Sequence, residues 1–90
     1  ERGAEVLYHP INKNNKIFGE ILMEQFKKNL NTDRKLITTD LYMYRNTTVP
    51  GVLIECGFIT NPDERYLMQT EKYQKKLAST IRDAVIEYFR

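Results

Sequence analysis

Ninety residues are enough for one domain or a piece of one, and they leave only a thin margin for burying a core. The 14 basic and 12 acidic residues give a formal charge of +2, too balanced to point to nucleic acid, and no apolar run approaches a membrane span. The one cysteine, Cys56, excludes an internal disulfide; with one histidine, His9, the chain cannot assemble a self-contained zinc site of the usual Cys/His kind.

The chain opens on "ERGAEVLYHP", which lacks signal-peptide architecture and enters a strand after two or three residues. So abrupt a start is expected of a piece cut from something longer. Residues 3–8 are partly β-favouring, and His9-Pro10 ends them. Residues 12–30 read as a helix of about 28 Å. Phe18, Leu22, Phe26 and Leu30 recur at i+4 steps beside Ile17 and Ile21, and Lys27 and Lys28 sit in the last turn, where cations favour the dipole.

Residues 31–40 read as a polar connection, 41–45 ("LYMYR") as a short aromatic strand, and "NTTVP" as a turn. Residues 51–56, "GVLIEC", form the clearest strand, apolar enough to suit a sheet covered on both faces, with Pro50 tolerable at its start. Asn61 is placed to cap a short helix running through Tyr66, Leu67 and Met68, with Pro62 at its first position and Glu64 three residues on. Thr70 caps a second helix from 71 to about 89. Its apolar face is Tyr73, Leu77, Ile81, Val85, Tyr88 and Phe89.

The order β-α-β-β-α-α predicts an α/β fold: part of a three-layer domain, with a small mixed sheet flanked by helices. Three strands make a small sheet for two helical faces, which again predicts more polypeptide upstream.

The stretch "VLIECGFITNP" places a carboxylate where its neighbours indicate a buried strand. An unpaired buried carboxylate is costly, so Glu55 either reaches an exposed strand end or has a partner. As a hydrated or ion-paired group it would be unremarkable chemistry. As a functional group it suits general acid/base work, because ligands in open α/β sheets gather at the carboxyl ends of strands and Gly57 allows a sharp turn. Cys56 points to the opposite face, either as a small buried hydrophobe or as a nucleophile with His9 as its only available base. His9 itself is a strand-end polar group or a lone metal ligand. Arg45 and Asn46 are turn residues or substrate contacts near Glu55.

"VPGVLIECGFITNPDE" resembles the C-terminal signature of the zinc-dependent N-acetylmuramoyl-L-alanine amidases, which are cell-wall hydrolases. Their Glu-x-Gly-Phe-x-x-Asn-Pro core is specific. "GAEVLYHP", the long helix, "NLNTDRK", "DLYMYRN" and the terminal "IRDAVIEYFR" are similar to the same family in the same order, so the resemblance covers essentially all 90 residues. Within the family the likeness leans toward clostridial and bacillar members, including the spore-cortex germination amidase.

The resemblance implies a Zn²⁺ held by two histidines and a glutamate, with a further glutamate as general acid/base. By motif that residue is Glu55. The bond cut would join the lactyl group of muramic acid to L-alanine, in an extracellular setting of cell wall or spore cortex. The family's zinc ligands precede the segment matching "GAEVLY", so no metal ligand is expected within this chain, and His9 matches none of them. Residues 1–90 are thus expected to be the C-terminal portion of one amidase domain. They would be inactive alone, with peptidoglycan and the remainder of the domain as partners, and open to dimerisation or strand exchange. The rival reading is a non-catalytic peptidoglycan- or partner-binding module of the same fold.

Overall fold

The computed structural model describes residues 3–40, 49–57 and 60–90. Its elements are β1 (Glu5–Tyr8), α1 (Lys13–Asn29), β2 (Ile37–Thr38), β3 (Leu53–Glu55), α2 (Pro62–Met68) and α3 (Glu71–Tyr88).

The first helix begins where the sequence supplies a cap. Asn12 Oδ1 accepts the Asn14 N–H at 2.9 Å, satisfying a donor that has no partner within the helix. One face of α1 then buries Leu22, Met23 and Phe26 against Ala4 and Val6 of the β1 segment. Gly19 permits this approach. A Cβ there would lie 2.7 Å from Leu36 Cδ1 and 3.6 Å from Val6 Cγ1. Asn15, fully buried, joins the residue that follows β1 to the segment that enters β3, at one end of the sheet. Its Nδ2 donates to the His9 carbonyl at 3.1 Å, and its Oδ1 accepts the Gly51 N–H at 2.8 Å.

The sheet has the order β2-β1-β3. β1 pairs parallel with β2, through Leu7–Ile37 and Tyr8–Thr38, and α1 supplies the crossover that a parallel pair needs. β1 pairs antiparallel with β3, through Glu5–Glu55, Val6–Ile54 and Leu7–Leu53. The sheet is therefore mixed, and the β-α-β-β-α-α order is observed. Its second strand, however, is Ile37–Thr38, inside the stretch read as a polar connection. Two residues carry no periodicity; only pairing with β1 makes them a strand. The strand expected at 41–45 lies outside the described residues.

β3 also differs from expectation. It is an edge strand among the described residues, and Val52, Leu53 and Ile54 are half-buried rather than covered on both faces. Alternation explains this. Ile54 shares a face with Val6, toward the helices, whereas Leu53 and Glu55 share the other face with Leu7 and Glu5.

α3 packs along α1 through Tyr73, Leu77, Thr80, Ile81 and Ala84, and Tyr88 meets Phe18 edge-on at 5.4 Å. The apolar stripe expected on this helix is narrower than the sequence indicated: Val85 and Phe89 are 36% and 77% exposed. Each residue advances about 100° around a helix, which carries positions 85 and 89 off the face centred on Ala84 and Tyr88.

Candidate active site

Glu55 occupies the last position of β3 and is exposed. The question raised by its apolar neighbours is answered by geometry: the strand ends there, and the side chain stands on the sheet face away from α1. Among the described residues no hydrogen bond or ion pair engages its carboxylate.

Directly across the ladder stands a second carboxylate, Glu5. Like charges opposite one another in a sheet are unfavourable. The chain resolves this by committing Glu5 elsewhere. The Arg34 guanidinium donates through Nη2 to Glu5 Oε2, and the two side chains are only 11% and 5% exposed. A nearly buried carboxylate is tolerated because it is both charge-paired and hydrogen-bonded. Glu5 is thus occupied and Glu55 is available. An open cleft of about 450 Å³ runs beside the pair, lined by Glu5, Asp33, Arg34, Lys35, Leu36 and Ile37.

The backbone just beyond Glu55 is fastened to the helical layer. Tyr73 Oη, from the first turn of α3, donates to the Cys56 carbonyl at 3.0 Å. Gly57 sits so close to α2 that a Cβ would fall 2.9 Å from Glu64 Oε1 and 3.1 Å from Met68 Sδ. Glu64 is itself 7% exposed, and its Oε1 accepts the Gly3 N–H at 3.0 Å, across 61 positions of sequence. The sequence placed Glu64 as a helix-capping partner of Asn61. Asn61 does cap α2, its Oδ1 accepting the Asp63 and Glu64 N–H groups at 3.0 and 3.3 Å, but the Glu64 carboxylate points into the protein and joins the β1 segment to the turn after β3.

The Cys56–His9 pair does not form. In the antiparallel register Cys56 falls beside Ala4, and His9 lies five positions further along β1, about 16 Å away at 3.3 Å per residue. His9 Nδ1 instead accepts the Ile11 N–H at 3.1 Å in a local turn. Burial pushes the Cys56 thiol above its ordinary pKa, the opposite of an activated nucleophile. Arg45 and Asn46 lie outside the described residues. The strand-end argument for Glu55 also needs correction. β3 runs antiparallel to β1 and β2 runs parallel to it, so the carboxyl end of β3 lies beside the amino end of β1 rather than at a shared carboxyl edge.

Among the described residues no group of three or more His, Cys, Asp or Glu side chains could hold a metal ion. The described residues thus offer no zinc site of their own, the resemblance assigning its ligands to preceding polypeptide, and no chemistry is assigned to a metal here.

Sequence reasoning missed Glu5, Arg34, Tyr73 and Glu64 as parts of this region. The signal for Glu5 was present, because "GAEVLY" sets a carboxylate among apolar residues just as "VLIEC" does. Arg34 sits in a polar run with nothing to single it out, and Tyr73 reads as ordinary core.

A short mixed sheet covered by helices matches a known family. The sequence aligns with the N-acetylmuramoyl-L-alanine amidase family over residues 1–87, and the chain belongs to it. It is 37% identical over 89 residues to the germination-specific N-acetylmuramoyl-L-alanine amidase of Bacillus subtilis (strain 168), covering 97% of this chain and 38% of that protein. It is 31% identical over 91 residues to the amidase LytC of the same organism, covering 98% and 18%. The fold superposes on the CwlD amidase of Clostridioides difficile, solved in complex with the GerS lipoprotein, with a TM-score of 0.93 at 29% identity, over 99% of this chain and 47% of that one. The catalytic domain of the amidase CwlV from Bacillus (Paenibacillus) polymyxa var. colistinus gives 0.87 at 29% identity, covering 99% and 49%. The chain thus spans less than half the length of these relatives.

Proposed function

We propose that these 90 residues are the C-terminal portion of a peptidoglycan amidase domain that hydrolyses the amide between N-acetylmuramic acid and L-alanine, with Glu55 as general acid/base. The observation that carries this reading is the state of Glu55. It is exposed at a strand end and unengaged among the described residues, and it lies opposite a carboxylate already neutralised by Arg34. It also stands in the Glu-x-Gly-Phe-x-x-Asn-Pro motif of the family.

An exposed, unpaired carboxylate can take a proton from an attacking water and return it to the departing amine of L-alanine. The buried Glu5–Arg34 pair keeps a second negative charge from competing beside it. The zinc that the family resemblance implies would be held by polypeptide outside these residues, so the 90-residue chain alone is expected to be inactive. Arg45 and Asn46, next in sequence to "DLYMY", are proposed as substrate contacts.

The likeness to germination-specific and cell-wall amidases supports a setting outside the cytoplasm, in the cell wall or spore cortex. The C. difficile relative was solved with a lipoprotein bound, and a protein partner is proposed here on that likeness. The edge of β3, unpaired among the described residues, also favours dimerisation or strand exchange of the isolated chain; a monodisperse monomer in sedimentation would count against that. The bond specificity is tested by digesting purified peptidoglycan with the zinc-loaded protein carrying both this chain and its upstream portion. New amino termini should be those of L-alanine. New reducing sugar ends without them would rule out an amidase.

A further inference from the structure

We infer that Tyr73 is a positioning residue for Glu55, holding the strand end that carries the proton-transfer carboxylate. This rests on the reading of Glu55 as general acid/base and adds a residue to it.

Glu55 is exposed and its carboxylate is unengaged among the described residues, so within that set its placement comes from the backbone. That backbone is weakly held by the sheet alone. β3 is three residues long, lies at an edge among the described residues, and its register with β1 stops at Glu55. Support is needed just beyond it, and the Tyr73 hydroxyl supplies it one residue on, donating to the Cys56 carbonyl, in the Cys56–Gly57 peptide, at 3.0 Å.

Tyr73 is well suited to this task. It is 9% exposed and belongs to the main core, so its ring is fixed by packing. Its own N–H donates to Thr70 Oγ1, the cap of α3, at 3.2 Å. Phenylalanine would fill the same core volume. A buried hydroxyl is costly unless it is bonded, and this one is bonded to the Cys56 carbonyl, one residue beyond Glu55. Burial, reinforced by the nearby Cys56 and Glu64, pushes its pKa above 10.0, which keeps it a donor across the physiological range. A Cβ on Gly57 would fall 2.9 Å from Glu64 Oε1 and 3.1 Å from Met68 Sδ, so α2 lies close against the residue that follows Cys56. The carboxylate is thereby referenced to α2 and α3 rather than to a fraying strand end.

The test uses the complete zinc-loaded amidase containing this chain. Tyr73→Phe removes one hydroxyl and keeps the core. The control is Thr80→Val, which removes a buried hydroxyl that bonds only within α3, to the Lys76 carbonyl at 2.7 Å. With both variants normalised to bound zinc, Tyr73→Phe is expected to lower kcat about tenfold with KM unchanged, as loosening of a catalytic group does. Thr80→Val should leave kcat unchanged. In a Glu55→Gln background, Tyr73→Phe should cause no further loss, because it acts through Glu55. A Tyr73→Phe enzyme with the kcat of Thr80→Val overturns the inference while leaving Glu55 as the base. A further loss in the Glu55→Gln background overturns it too, placing the role of Tyr73 elsewhere. Near-normal activity of Glu55→Gln itself overturns the underlying reading, and with it the need for a brace.

Discussion

Glu5 and Glu55 face each other across the β1–β3 ladder, yet only Glu5 is buried and only Glu5 is paired with Arg34. Two chemically identical side chains at one register position are thus put to different uses by their surroundings. Removing one partner of a nearly buried pair strands the other's charge. Arg34→Met should therefore destabilise the fold by about 3 kcal/mol or more. The double variant Glu5→Gln with Arg34→Met should recover most of that loss, because no uncompensated charge remains. Urea denaturation measures both. A single variant within about 0.5 kcal/mol of wild type would show that the pair contributes nothing.

Gly3 has φ +98°, and a Cβ there would lie 2.3 Å from both Cα and Cβ of Thr32. Thr32 cannot easily withdraw, because its Oγ1 donates to the Ala4 carbonyl at 2.8 Å and accepts the Arg34 N–H at 3.1 Å. Gly3→Ala combines backbone strain with a clash against main chain, and a loss above about 2 kcal/mol is expected. It should also weaken the Gly3–Glu64 hydrogen bond, so amide exchange at Gly3 should quicken beyond what the lowered global stability accounts for.

Alkaline pH should destabilise the protein through Cys56 and Tyr73. Both have pKa values raised by burial above the ordinary 9.0 and 10.0. Above those ordinary values the unfolded chain has released protons that the folded chain still holds, so stability falls as pH rises. The contribution is intact below pH 9 and is lost as pH climbs toward the raised folded values. Urea midpoints at about pH 8 and about pH 10.5 should show a clear drop, and Tyr73→Phe should reduce the drop at the upper end. A flat profile would contradict the burial of these two groups.

Helices were the most legible part of the sequence. Asn12, Asn61 and Thr70 carry local capping chemistry, and the i+4 apolar steps of α1 repeat often enough to be read without knowledge of the partner. The strands were less so. Ile37–Thr38 is a strand only because β1 lies beside it, and β3, at an edge among the described residues, is half-covered in a way that no local pattern encodes. The site divides the same way. Glu55 stood out as a carboxylate in an apolar run followed by a specific motif. The groups around it come from remote sequence, Arg34 29 positions from Glu5 and Tyr73 17 from Cys56, and only the folded chain brings them together.

The most direct test of the proposed role of Glu55 as general acid/base is the turnover of Glu55→Gln in the complete amidase supplied with zinc, on purified peptidoglycan, with zinc content and folding measured on the same sample. Glutamine preserves the size and exposure of the side chain and removes its capacity to carry the proton. The expected result is a loss of about two orders of magnitude or more in kcat, with zinc and the thermal midpoint unchanged. A Glu55→Gln enzyme that releases L-alanine amino termini at near wild-type rate would contradict the account, and the strand-end carboxylate would then be an exposed surface group.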